Sequence, residues 1–223
     1  MTPRRRPGRP RSVDRDGIGA VVVELGFSEA TFAAVAERLE VTETTLFRHV
    51  GNRRGLMAAG LALVFDRWPW PEPEGRWRTV LGSYALALWQ VCHDHPGAAE
   101  EISAGAFPPV FAWIWADVVE RLIADGLSPQ RATIAADLAF DLAVADRRGH
   151  DRFAQIGEAE LTAMAGDIDQ AWTRALRGRT EQARQRIALA RQESERAMTM
   201  SAEQWFGVRL DLVLDGVAAE VGR

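Results

Sequence analysis

Apolar positions in the first third of the chain recur at spacings of three and four, in short runs broken by polar or glycine residues. Ile18, Val22 and Leu25 mark one helix, closed by Gly26 with Phe27 behind it. Val35 and Leu39 mark a second, with Thr31 as its N-cap. Leu46 and Val50 mark a third, capped by Thr42, and Val41 pins the turn between the two. Asn52 caps a fourth, which carries Leu56 and Met57. Then come Trp68 to Gly75, where three prolines exclude a helix. Beyond it the helical period predicts helices over about 78–93, a short one after Pro96, and 109–124. Further helices are expected over 128–148 (Ser128 as cap, Gly149 as stop), 158–176 and 202–221. The arginine- and glutamate-rich stretch 177–200 reads as a solvated helix or a loop. No stretch alternates with period two, and no internal repeat is present. The fold class is therefore all-α.

The window from Thr31 to Arg54 carries the most chemistry. Two short helices meet at a tight turn, and burying Leu46 and Val50 leaves Glu43, Thr44, Phe47, Arg48 and His49 on the outer face. Small polar residues at the start of the second helix suit reading of base edges in a major groove. Leu46-Phe47-Arg48-His49-Val50, with Asn52, Arg53 and Leu56-Met57, resembles the recognition-helix end of the TetR family of bacterial regulators. The match covers about residues 12–65. It implies a three-helix, helix-turn-helix DNA-binding domain followed by a larger helical ligand-binding and dimerisation domain. On that resemblance Thr31, Thr42, Glu43, Thr44, Thr45, Phe47, Arg48, His49, Asn52, Arg53 and Arg54 are the DNA-facing residues. Arg53 and Arg54 would hold phosphate at the start of the fourth helix. Three positions depart from the family's pattern. Glu40 stands where glycine is usual, so the turn must shift or its strain be absorbed. Phe47 replaces the usual tyrosine, and Gly55 denies Asn52 an acidic partner, so a loose start to the fourth helix is expected.

Charge sharpens the division of the chain. Residues 1–54 carry ten arginines against seven acids, a net +3, whereas residues 55–223 carry a net −7. A basic end on an acidic body orients a molecule on DNA. Within residues 2–15 six arginines face one acid among prolines and glycine. Gly8-Arg9-Pro10-Arg11 resembles an AT-hook core, so Arg9 and Arg11 are candidates for a narrow minor groove; a solvated tail attracting phosphate is the alternative. The expected organisation is a basic arm (1–15), a DNA-binding domain (16–65), a Pro/Trp linker (66–76) and a regulatory and dimerisation domain (77–223). The lone Cys92, the lack of an apolar run of 18 residues and the lack of an apolar signal stretch point to a cytoplasmic protein with no membrane partner.

Two helices of the second part invite a partner. The last places Phe206, Leu210, Val213, Leu214, Val217 and Val221 on one stripe, and Trp205, Val208, Leu212 and Ala219 on nearly the opposite one. Two apolar stripes imply burial on both sides. The 128–148 helix is rich in alanine, which permits close helix approach. In the family the corresponding helices form the four-helix bundle of a dimer. Ala132, Ala136, Ala139 and Ala143 with Phe206, Leu210, Val213 and Val217 are accordingly the candidate interface, and a twofold dimer suits a palindromic operator. The alternative is that both are central core helices.

Trp89, Phe111, Trp115, Phe140 and Trp172 could wall a pocket for an apolar or aromatic effector, or simply fill a core. His93-Asp94-His95 does not share a helix face and no Cys/His cluster completes it, so no metal and no cofactor is expected. Asp137 and Asp141, one turn apart, fit a solvated face, an inter-subunit arginine or a cationic ligand. No GxSxG, P-loop, GxGxxG or HExxH occurs, so no enzyme activity is expected. The reading is a homodimeric DNA-binding transcription repressor released from double-stranded DNA by a small molecule. The alternative is an all-helical small-molecule-binding protein or enzyme without sequence-specific DNA binding.

Overall fold

A computed structural model describes residues 13–72 and 74–219. Arg9, Arg11 and Val221 lie outside the described residues. Among those described, every regular element is a helix. The order is α1 (Arg15–Leu25), α2 (Phe32–Leu39), α3 (Glu43–Val50), α4 (Arg53–Arg67), α5 (Trp77–Asp94), α6 (Ala98–Ser103), α7 (Phe111–Ala124), α8 (Pro129–Phe153), α9 (Glu158–Ala175), α10 (Glu181–Ala197) and α11 (Ala202–Ala218).

The first four helices form a compact head. Its centre is α1 on α4, and two glycines allow that contact. A Cβ on Gly19 would lie 2.5 Å from the Ala59 carbonyl oxygen, and one on Gly60 would lie 2.6 Å from Val22 Cγ1. The close approach seals Ile18, Val22, Leu56 and Leu61 from solvent. An Arg38–Glu24 ion pair ties α2 to α1. The proline-rich segment folds back on the head: Trp70 donates its indole N–H to the Phe65 carbonyl at 2.8 Å and stacks on Tyr84. Helix α4 itself runs on to Arg67, two residues past the expected boundary.

In the second part α5 packs most extensively on α8, with α7 and α11 flanking the pair. The alanines of α8 provide that approach. Ala132, Ala136, Ala139 and Ala143 are fully buried inside the chain, as is Phe206 of α11; Leu210 and Val217 are nearly so. Within the single chain the four alanines and Phe206 of the expected interface pack inward, and Val213 is half-buried beside them. The large aliphatic side chains left exposed on the same helices are Ile134 and Leu138 of α8 and Val208 and Leu212 of α11.

Helix α8 passes through Gly149 and ends at Phe153 rather than stopping near Arg148. A mid-helix glycine costs about 1 kcal/mol relative to alanine. Partners on the added turn offset this: Arg147 pairs with Asp151 along the helix, and Arg152 pairs with Glu100 of α6 at 2.9 Å. The polar stretch 177–200 is a helix, α10, capped by Thr180. It runs back along α9, and Arg191 bridges Asp169 and Glu195 at 2.8 Å each. No residue of α9 or α10 is buried.

Candidate nucleic-acid interface

Local capping fixes the geometry of α2, α3 and α4. The Thr31 hydroxyl accepts from the Ala34 N–H at 3.1 Å, Thr42 from Thr45 at 3.2 Å, and the Asn52 side-chain oxygen from Gly55 at 2.9 Å. These three residues thus set where each helix begins. Each keeps a donor, a hydroxyl hydrogen or an amide N–H, that the cap does not use. Thr45 is drawn in by a 3.0 Å contact between its hydroxyl and that of Thr42. Glu43, Thr44, Phe47, Arg48 and His49 remain on the exposed face of α3, with Leu46 and Val50 buried beneath it. Phe47 is 60% exposed and leans on Phe32 of α2, ring centroids 6.4 Å apart. An aromatic in that position offers an apolar surface to a sugar or a thymine methyl.

Glu40 takes the left-handed conformation itself, φ 56° and ψ 41°. The turn does not shift. Its N–H and that of Val41 both close back on α2, to Glu37 and Ala36 at 3.1 and 3.0 Å. Nor does Gly55 loosen α4. A Cβ there would lie 1.9 Å from the Val50 carbonyl oxygen, so only glycine lets the end of α3 pass over the start of α4.

The two arginines at that start differ. Arg53 reaches Glu101 of α6 at 2.5 Å. Burial pushes the Glu101 carboxyl above its usual range, with Arg53 opposing the shift. Arg54 extends past Gly105 and is exposed. The Arg53–Glu101 link spans 48 residues of sequence, and nothing in the local pattern announces it.

Two recesses lie in the second part. One, of about 440 Å³, opens between α6, α7 and α8 and is lined by Phe111, Trp115 and Phe140, with Ile102, Asp137 and Asp141. Phe111 and Phe140 meet edge-on at 5.6 Å, and the Trp115 indole N–H donates to Asp137 at 3.2 Å. Three of the five expected aromatics are thus together. Trp89 is not among them: it is buried, stacks between His93 and Phe206, and donates to Asp146 at 2.8 Å. Trp172 is also absent from it, carried away on α9. His93 is held by that stack and by a 3.2 Å contact with Arg147, while His95 packs edge-on to Phe27. Cys92 is buried, which pushes its thiol up to about 12. The second recess, of about 710 Å³, lies between α8, α10 and α11.

No family profile and no curated protein matches this sequence. Solved structures do match in shape, over 95% of the chain. ActR of Streptomyces coelicolor, a TetR family protein, aligns with a TM-score of 0.71 at 19% identity in its complex with actinorhodin, over 98% of its chain. The TetR regulator SCO7222 of the same organism aligns at 0.65 and 20%, and a TetR variant of Acinetobacter baumannii bound to minocycline at 0.63 and 21%, each over its full length. The architecture is that of an all-helical molecule with an N-terminal helix-turn-helix. Its fold is the TetR-family fold.

Proposed function

We propose that the protein is a homodimeric, DNA-binding transcription regulator, a repressor released from a palindromic operator by a small molecule. One observation carries this reading: α3 stands capped and outward, its face of Thr44, Phe47, Arg48 and His49 beside Arg54 on α4. Thr44 and Arg48 read base edges, Phe47 packs on the backbone or a thymine methyl, and Arg54 holds a phosphate. Thr31, Thr42 and Asn52 act first as caps and offer their remaining donors to phosphate.

The α6 helix supplies the route from effector to DNA. Its Ile102 and Ser103 line the smaller recess, while the neighbouring Glu101 holds Arg53. A ligand against Phe111, Trp115 and Phe140 that favours one position of α6 changes the placement of Arg53 and hence of α4. The coupling requires unequal ligand affinity for the two positions. The bodies of ActR and TetR bound to actinorhodin and minocycline support an effector of aromatic character.

The test is a DNA-binding titration with the DNA upstream of the protein's own coding sequence, at several salt concentrations. Arg54→Ala is expected to weaken binding to every duplex and to reduce the salt slope by about one. Arg48→Ala is expected to weaken the specific duplex more than a scrambled one. Equal affinity of the unaltered protein for both duplexes would refute the regulator reading.

A further inference from the structure

The larger recess joins a charged floor to apolar walls. Asp146 is 4% exposed at its base. It accepts from the Trp89 indole, pairs with Arg209 of α11, and lies 3.3 Å from His150 Nδ1. The same Nδ1 lies 2.9 Å from the Asp146 carbonyl oxygen, which assigns it the proton. The imidazole edge left for a ligand is therefore Nε2. Arg209 is committed to Asp146 through one nitrogen only and remains partly exposed. Above this floor stand Phe153, Trp205 and Met198, with Phe153 and Met198 more than half exposed. The walls come from α8, α10 and α11, and α10 has no buried residue of its own.

We infer that this recess binds an aromatic weak acid, which docks the α9–α10 hairpin onto the body. The Asp146–Arg209 pair is neutral overall, so a free anion would add an uncompensated charge. A weak acid enters with one proton, which an arylcarboxylate ionised in neutral water takes up from solvent on binding. Its O–H donates to His150 Nε2; if the proton crosses, the O–H bond breaks, an N–H bond forms, and the imidazolium is held by Asp146. The ligand oxygens are then left to Arg209, and charge balance is unchanged. A flat ring fits between Trp205, Phe153 and Met198, covering apolar surface now in contact with water. Because Met198 follows directly on α10, occupancy closes the hairpin against α8 and α11. This site adjoins the aromatic recess at α6–α8 at Ala145 but has its own floor and walls, and it does not depend on DNA binding.

The full-length protein can be titrated, without DNA, with 1-naphthoic acid and with 1-naphthalenemethanol, its uncharged counterpart. The acid is expected to bind saturably and about tenfold or more tighter than the alcohol, the size of one charge-assisted hydrogen bond. Gly149 lines the recess and a Cβ there meets nothing within 4 Å, so Gly149→Leu has room to start and projects its remaining carbons into the recess. Ala197→Leu occludes it from α10. Both are expected to abolish binding while helicity by circular dichroism is retained, and Trp115→Phe in the other recess is expected to leave it intact. Amide exchange over residues 190–200 is expected to slow on adding the acid. Equal binding of acid and alcohol, or binding that survives both occluding substitutions, or loss with Trp115→Phe instead, would overturn the assignment. Failure of this titration leaves DNA recognition by α3 untouched, because no DNA is present.

Discussion

Glu40 shows what a single departure from pattern does. A non-glycine residue in the left-handed region costs roughly 1 kcal/mol relative to a relaxed backbone. The turn keeps that geometry because it closes α2 and aims Val41 back at the head. Glu40→Gly is therefore expected to stabilise the protein by up to about 1 kcal/mol, less the added freedom glycine gives the unfolded chain. A rise in the urea midpoint checks this; a fall would mean the glutamate makes a compensating contact. Gly55 is the reverse case. Alanine is the better helix former by about 1 kcal/mol. At Gly55 its Cβ would meet the Val50 carbonyl oxygen at 1.9 Å, so Gly55→Ala is expected to destabilise by about 2 kcal/mol or more. The damage falls between α3 and α4, so DNA affinity is expected to drop as well. A neutral melting temperature would show that the two helices can part without loss.

At the scale of elements, what depended on neighbours in sequence was legible and what depended on distant partners was not. The caps at Thr31, Thr42, Asn52 and Ser128 are local, and each is present in the structure. The turn chemistry at Gly26 is equally local. By contrast, two apolar stripes on α11 say that both faces matter without saying which faces inward; burial chose that of Phe206, Leu210 and Leu214. The stop at Gly149 failed because Asp151 and Arg152 find partners that the glycine signal does not contain. Glu101 was invisible for the same reason. The junction of α5 and α6 adds a pH dependence. Burial lowers the His95 pKa, and the ring packs against Phe27 of the head. The unfolded chain takes up a proton below about pH 6.5 that the folded one resists. Stability from this site is therefore present above that value and lost as pH falls toward the lower folded pKa. The urea midpoint is expected to fall between pH 7.5 and 5.5, and to fall less in His95→Gln; an equal fall would assign the effect to other groups.

For the whole molecule, the proposed dimer needs a face that the single chain does not already cover. α8 spends Ala132, Ala136, Ala139 and Ala143 inside the chain. Yet Ile134, Leu138, Val208 and Leu212 stay 42–75% exposed on two helices that pack on each other. Four large aliphatic side chains on adjoining helices are what a helix-bundle interface would bury, and each contributes roughly 1.5–3 kcal/mol if fully covered. The polar residues around them, such as Asp141 and Asp211, would form the rim. The double substitution Leu138→Glu with Leu212→Glu places like charges at the centre of that face while leaving the buried alanines alone. Sedimentation is expected to show a dimer for the unaltered chain and a monomer for the double variant, with equal helicity in both. Loss of the second head removes bivalent binding, so affinity for a palindromic duplex is expected to fall on the order of a hundredfold, while that for a half-site changes little. A double variant that still sediments as a dimer would move the interface to another surface, and an unaltered chain that sediments as a monomer would remove the geometric basis for reading a palindrome.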